Sequence, residues 1–264
     1  MVDIHSHALY GLDDGARVIE ESLDMIRMAA EHGTTDLVCT PHADPTYKFD
    51  PAAIRERLDE LRDRSASALR LYSGCDFHLS YDNIQDAIAN PRKYTIAQQN
   101  YLLVEFSNMV IFHTTTEIFA RLQDAGMIPV ITHPERNPLL RQRIDNIAAW
   151  VESGVRVQVT AQSLLGEFGK RARGFCESLL DRDLVHFVAS DAHDCQRRPP
   201  RLDLAREWLQ RERGARIAQA LCVENPRKTL TGEILDLAEP EVNAPTRKWY
   251  QIWRRDPATS PKSD

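Results

Sequence analysis

Val2-Asp3-Ile4-His5-Ser6-His7-Ala8-Leu9-Tyr10-Gly11-Leu12-Asp13-Asp14-Gly15 joins a short apolar run to two histidines and then to a carboxylate. Side chains two apart in a strand point the same way, so a run ending in His-x-His reads as a strand whose end presents both imidazoles on one face. The polar, glycine-containing segment that follows reads as a loop able to fold Asp14 back over that end. Two neutral imidazoles with a carboxylate suit a divalent transition metal of the Zn, Mn or Fe kind. A lone His-x-His is as readily an incidental strand edge, so the choice rests on whether other strand ends supply further ligands.

That search runs over one ordinary globular domain. The 264 residues are 42% hydrophobic and 27% charged, enough for a sizeable core. A net charge of -6 and a pI near 5.9 argue against a nucleic-acid-binding surface as the main feature. No apolar stretch approaches the roughly 20 residues that span a bilayer, and the N-terminus lacks a basic and then apolar leader, so a cytoplasmic protein is expected. Cys39, Cys75, Cys176, Cys195 and Cys222 form neither a disulfide framework nor a Cys-x-x-Cys pair, and read as reduced packing residues.

Along the chain, strand-like runs alternate with helical patterns. Arg17 to His32 carries Val18, Ile19, Ser22, Met25, Ile26 and Ala29 at helical spacing, with Gly33 as the stop. Asp36 to Thr40 reads as a strand ending in Pro41-His42. Pro51 to Leu69 reads as a helix capped by Asp50, with Ile54, Leu58 and Leu61 inward. Arg70 to Gly74 runs into Cys75-Asp76-Phe77-His78, and Tyr101 to Val104 ends in Glu105. Thr114 to Ala125 is a helix closed by Gly126, and Ile128 to Ile131 is a strand running into Thr132-His133-Pro134-Glu135-Arg136. A helix over Asp145 to Ser153, a strand over Val155 to Val159 and a helix over Lys170 to Asp181 follow. Val185 to Ala189 then ends in Ser190-Asp191-Ala192-His193. Helices over Asp203 to Glu212, with Leu204 and Leu209 inward, and over Arg216 to Leu221, stopping before Asn225-Pro226, complete the pattern.

About seven strands separated by helices predict a closed, parallel α/β arrangement, a distorted TIM-like barrel. In such barrels functional groups gather at the C-terminal ends of the strands. His5, His7, His42, Asp76, Glu105, His133, Asp191 and His193 all fall at or just past such ends. Agreement among that many strand ends favours a metal centre over coincidence. His32, His113 and His186 lie elsewhere and read as structural or solvated. His78, two residues from Asp76, stays open.

These residues carry a family resemblance. The markers are Asp3-Ile4-His5-Ser6-His7, Asp13-Asp14-Gly15, Glu20-Glu21-Ser22, Thr40-Pro41-His42, Gly74 to Asp76, Glu105, His133-Pro134-Glu135-Arg136, Ser190-Asp191-Ala192-His193 and Arg198-Pro199-Pro200. Over residues 2 to 236 the chain resembles the polymerase and histidinol phosphatase (PHP) family of phosphoesterases, and more narrowly its bacterial protein-tyrosine phosphatases of the CpsB and YwqE type. The resemblance implies a seven-stranded PHP barrel over 1–236, a C-terminal extension over 237–264, and a site of three divalent ions, often manganese. It implies His5, His7, Glu105 and Asp191 around one ion. Glu105, Asp76 and His133 would hold a second, with Glu105 bridging, and Asp14, His42, Asp76 and His193 a third. The family usually has glutamate where this chain has Asp76, which shortens the reach by about 1.5 Å; either the backbone shifts or that ion is held more weakly, and His78 is the candidate to compensate.

The implied chemistry is hydrolysis of a phosphate monoester by metal-activated hydroxide, with Arg136 and Arg198 as the phosphate clamp. The implied substrate is a phosphotyrosine protein, by family context a bacterial tyrosine kinase in capsule or exopolysaccharide export; oligomers also occur in the family. The alternatives are a phosphatase for a small metabolite such as histidinol phosphate, and a catalytically weak regulatory protein. Cys176 to Arg182 and Cys195 to Arg201 both match Cys-x5-Arg. Cys176, however, sits in a predicted helix, and Pro199 and Pro200 remove N–H groups that a phosphate cradle needs. Towards the end, Thr246 to Arg255 mixes Trp249, Tyr250, Ile252 and Trp253 with arginine and lysine. That composition suits packing on the barrel or, second, an anionic membrane surface or a partner. Asp256 to Asp264 reads as disordered.

Overall fold

A computed structural model describes residues 1–65 and 69–235. The segment 246–264, with its aromatic-basic stretch, lies outside the described residues. Among the described residues nine parallel strands stand where about seven were expected, because two of the expected strands are each followed, after a two-residue break, by a further short strand. They are β1 (Val2–Ser6), β2 (Asp36–Cys39), β3 (His42–Ala43), β4 (Arg70–Ser73), β5 (Asp76–His78), β6 (Tyr101–Glu105), β7 (Ile128–Thr132), β8 (Arg156–Thr160) and β9 (Phe187–Ala189). Thr40-Pro41 interrupts β2 and β3, since proline has no N–H for the ladder. Gly74-Cys75 interrupts β4 and β5, and a Cβ on Gly74 would stand 2.9 Å from Val38 Cγ1, so only glycine lets the chain pass there.

These two breaks divide the strands into a sheet of order β1-β2-β4 and another of order β3-β5-β6-β7-β8-β9. The first and last strands still meet, through an isolated parallel bridge between Ser6 and Ala192. There His7 N donates to Ala192 O at 2.7 Å and Asp191 N to His5 O at 2.9 Å. The α/β class and parallel sense are as expected. Among the described residues no continuous ladder closes the ring.

Among the described residues ten α-helices accompany the sheets: α1 (Ile19–Glu31), α2 (Pro51–Arg64), α3 (Tyr81–Ala89), α4 (Thr115–Asp124), α5 (Ile144–Glu152), α6 (Ala161–Leu165), α7 (Lys170–Asp181), α8 (Asp203–Arg213), α9 (Ala215–Gln219) and α10 (Asn225–Thr231). The Asp50 carboxylate accepts from Ala52 N and Ala53 N at 2.9 and 3.2 Å, and Pro51 occupies the first turn of α2. Ile54, Leu58 and Leu61 face inward as read, although α2 ends at Arg64, short of Leu69.

Three helix readings need correction. Val18, read into the apolar pattern of α1, precedes the helix in extended conformation and is 49% exposed. Leu204 is 42% exposed, because the buried face of α8 is Ala205, Trp208 and Leu209. Asn225-Pro226 starts a helix and does not stop one: the chain passes from α9 through a π turn, Ala220–Glu224, into α10, with Pro226 in its first turn. Asn225 Nδ2 donates to His186 O at 3.0 Å, which ties that helix to the start of β9. The core falls into two clusters, a large one under the six-stranded sheet and a smaller one between the three-stranded sheet and α1 and α2.

Candidate metal centre

All nine candidate ligands gather at the C-terminal ends of the strands. The β3–β5 register sets His42 opposite Asp76, and His42 Nδ1 lies 3.3 Å from Asp76 Oδ2. From the β1 side, His5 Nε2 reaches to 3.5 Å of the same oxygen and to 3.4 Å of Asp191 Oδ1. His7 Nε2 is 3.3 Å from Asp191 Oδ1. Asp14 Oδ1 stands between His42 Nε2 at 3.4 Å and His193 Nε2 at 3.3 Å. His133 Nε2 lies 3.8 Å from Glu105 Oε1 and 4.0 Å from Asp76 Oδ2.

Four overlapping groups have ligand atoms within 4.8 Å of one another: His7, Asp14, His42, His193; His5, His7, Asp76; His5, His133, Asp191; and His42, Asp76, Glu105. Donors each about 2.0–2.2 Å from a shared ion fall at such separations. Of the sets the resemblance implies, Asp14, His42 and His193 stay together, and Glu105 and Asp76 both lie within 4.0 Å of His133 Nε2. Glu105 groups with His42 and Asp76, not with His5, His7 and Asp191. The β5–β6 register puts it opposite His78, two residues beyond Asp76.

Asp76 belongs to two of the four groups, within 4.0 Å of His5, His42 and His133. The residue is fully buried, and Oδ1, Oδ2 and the facing His42 Nδ1 have no hydrogen-bond partner. Leaving a buried carboxylate without donors is costly; a cation between Asp76 and the surrounding imidazoles would satisfy it. The donor set thus fits divalent metal on geometry and on chemistry. His78 belongs to none of the groups.

Residues the sequence reading passed over hold the ligands in place. Asp13, adjacent to the assigned Asp14, accepts from His7 Nδ1 at 2.7 Å, from His42 N at 3.1 Å and from Gly15 N at 3.0 Å. Gln158 Oε1 lies 3.0 Å from His5 Nδ1. Partners of this kind fix the ring orientation of a metal-binding histidine. Asp13 carried a signal, the Asp-Asp-Gly run, but nothing in that run says which carboxylate faces which histidine; Gln158 carried none. Gly15 lets the loop close on β1, since a Cβ there would sit 2.0 Å from His7 O. Fully buried Asp3 links the two strand ends, accepting from Ser190 N at 3.0 Å.

Arg136 and Arg198, the proposed clamp, both donate to Asp191 Oδ2. The Arg136 guanidinium also lies over the Phe168 ring, 4.5 Å from its centroid, an attraction to the negative ring face. Tyr47 stacks on His42 at 5.9 Å.

The electrostatics divide the histidines. Burial dominates at His133 and His193, lowering them to about 3 and about 4, which favours the neutral form a metal ligand needs. At His7 and His42 burial pulls the same way, but Asp13 at the first and Asp14 with Asp76 at the second outweigh it and raise them to about 9 and about 11. Glu105 is pushed up to about 7 by burial and by the Asp76 charge. Burial also works to raise Asp191 and Asp76, yet His5 and its neighbours hold both well below the carboxylate range.

The cysteine alternative fails on geometry. Cys176 is buried in α7, and burial pushes its thiol pKa well up. Arg182 pairs with Asp145 at 2.8 Å, and Arg201 pairs through both nitrogens with Asp203 at 2.7 Å.

The profile of a family described as capsular polysaccharide synthesis, CpsB/CapC, matches residues 1–231. The chain is 34% identical to the putative tyrosine-protein phosphatase CapC of Staphylococcus aureus, over 96% of this chain and 100% of that one. It is also 34% identical to the tyrosine-protein phosphatase YwqE of Bacillus subtilis, over 91% and 96% of the two chains. A crystal structure from work on YwqE of B. subtilis and CpsB of Streptococcus pneumoniae, described as metal-dependent tyrosine phosphatases, superposes with a TM-score of 0.84 at 34% identity, covering 89% of this chain and 96% of that one.

Proposed function

The chain belongs to the CpsB/CapC family, and from that premise we propose that it is a metal-dependent protein-tyrosine phosphatase. The observation that carries the reading is the buried, hydrogen-bond-starved carboxylate of Asp76 among the imidazoles of His5, His42 and His133. Three divalent ions, manganese foremost, would be held by His5, His7, Asp14, His42, Asp76, Glu105, His133, Asp191 and His193. Bound there, they supply an activated water and positive charge for the phosphoryl oxygens.

The chain's own part is to bind and orient. Asp191 holds the Arg136 and Arg198 guanidinium groups towards one point, and their remaining N–H donors form a fork for the phosphoryl oxygens. Asp13 and Gln158 keep the rings of His7 and His5 in register. A phenolate leaves with a conjugate-acid pKa near 10, so the reaction needs no strong general acid. The substrate would be a phosphotyrosine protein, with an autophosphorylating bacterial tyrosine kinase in the cytoplasm as the proposed physiological one.

Turnover of a phosphotyrosine peptide and of histidinol phosphate, with manganese added and then chelated, tests this reading. Manganese-dependent release of phosphate from the peptide, at a kcat/KM well above that for histidinol phosphate, is expected. Preference for histidinol phosphate, or activity that survives chelation but not cysteine alkylation, would overturn it.

A further inference from the structure

We propose that the loop joining β6 to α4, residues 106–114, is a docking platform on which a protein substrate lays apolar residues beside its phosphotyrosine. The proposal rests on the phosphatase reading and names the substrate feature that reading leaves open. Met109, Val110 and Phe112 are 89%, 49% and 40% exposed, three of the seven large exposed apolar side chains among the described residues. The other four stand singly along the chain, as scattered surface residues do. Adjacent exposed apolar side chains mark interaction surfaces.

The backbone under these side chains is pinned. Asn137 Nδ2 donates to Phe106 O at 3.2 Å and to Ser107 O at 3.1 Å. Phe106 stacks on Trp150 with ring centroids 5.8 Å apart. Ile111 enters the core, and Thr115 N and Oγ1 both donate to Phe112 O, at 3.2 and 2.6 Å. Met109, Val110 and Phe112 are thus held outward around a buried Ile111.

Position and charge name the occupant. The loop leaves β6 directly after Glu105, and Asn108 lines a cleft of about 100 Å³ with Glu105, His133 and Arg136. Asn137, which grips the loop, is the residue after Arg136. A phosphotyrosine whose phosphate reaches Arg136 therefore carries its flanking residues across this rim. From Phe106 to Phe112 the chain has no charged residue, in a protein that is 27% charged. The loop itself offers no counter-charge to an acidic or basic flank, whereas leucine, valine or phenylalanine finds apolar surface on it.

The test uses the manganese-loaded full chain and three substrates: a phosphotyrosine peptide with leucine and valine flanks, one with serine and glycine flanks, and p-nitrophenyl phosphate. Wild type should favour the apolar peptide by about tenfold in kcat/KM, the scale of burying a few side chains. Met109→Ser/Val110→Ser/Phe112→Ser should erase that preference and leave p-nitrophenyl phosphate turnover unchanged. Met109→Ser alone, at the most exposed position, should lower the preference about threefold and covers the case of a misfolded triple variant.

No flank preference in wild type would overturn the proposal. So would an equal loss on all three substrates by Met109→Ser. A variant that changes the oligomeric state while keeping the flank preference would reassign the patch to a second copy of the chain. Failure of wild type on every phosphotyrosine substrate would strike the phosphatase reading itself, and the docking proposal with it.

Discussion

At the N-terminal ends of the strands the chain leaves α1, α4 and α5 through Gly33, Gly126 and Gly154, at φ of 81°, 85° and 102°. At the C-terminal ends it leaves β7 and β9 through His133 and Asp191, at φ of 33° and 53°. Both ends thus use backbone that L residues rarely adopt. At the helix ends any residue would reverse the chain, and glycine does so without a Cβ penalty. At the strand ends the same geometry is held by an imidazole and a carboxylate that glycine could not replace. Strain of this kind collects where side-chain identity matters to function.

The largest effect should come from exchanging the two kinds of position. His133→Gly and Asp191→Gly relax the backbone yet remove proposed ligands. We expect kcat/KM on phosphotyrosine peptide to fall at least about 10³-fold in each, together with a loss of bound metal by elemental analysis. Activity within tenfold of wild type would end the argument that these side chains are the reason for the strain.

His186 provides a counterpart to His133 at the opposite end. Burial lowers both to about 3, but His186 has a partner, Val157 N donating to its Nδ1 at 3.1 Å. Its folded pKa lies below the unfolded value of about 6.5. Between those values the unfolded chain binds the extra proton, so His186 costs no stability above about pH 6.5 and destabilises as pH falls towards 3, with a slope of up to ~1.4 kcal/mol per pH unit. Urea unfolding of the chelated protein from pH 7 to 4.5 should show a shallower decline in His186→Gln than in wild type. Coincident slopes would mean that His186 already carries a proton when folded.

A smaller change is expected at Phe168, whose ring supports Arg136. Phe168→Leu keeps an apolar side chain but loses the ring face and should lower kcat/KM about tenfold, mainly through KM, while Phe168→Tyr stays within about twofold. Equal effects of the two would mean that the ring acts only by filling space. Smallest are the helix-end positions. Gly126→Ala meets no atom within 4 Å, so its cost is backbone strain alone, about 1 kcal/mol. Asp183, exposed and at φ 55°, takes this geometry after α7 without glycine, and Asp183→Gly should gain up to about 1 kcal/mol. Chemical denaturation measures both, and neither should alter kcat/KM.

Legibility followed the range of the interactions. Gly33 and Gly126 as helix stops, the Asp50-Pro51 start and the buried faces of α1 and α2 are local matters, readable from neighbouring residues. The breaks at Pro41 and Gly74 depend on what lies across the sheet, and Leu204 was read inward because spacing alone does not say which of two adjacent helix faces finds the core. Whether Asp76 reaches the imidazoles depends on the β3–β5–β6 register, which neighbouring residues do not reveal.

By itself the sequence determined the alternation of strands and helices and the chemical types at the strand ends, because hydrophobic period, caps and His-x-His spacing are properties of short segments. The tertiary structure decided which donors face one another: that Asp76 lies among three histidines, that Asp13 and Gln158 orient His7 and His5, and that Phe168 backs Arg136. Those pairings join residues up to 153 positions apart, and only parallel register and the packing of the loops bring them together.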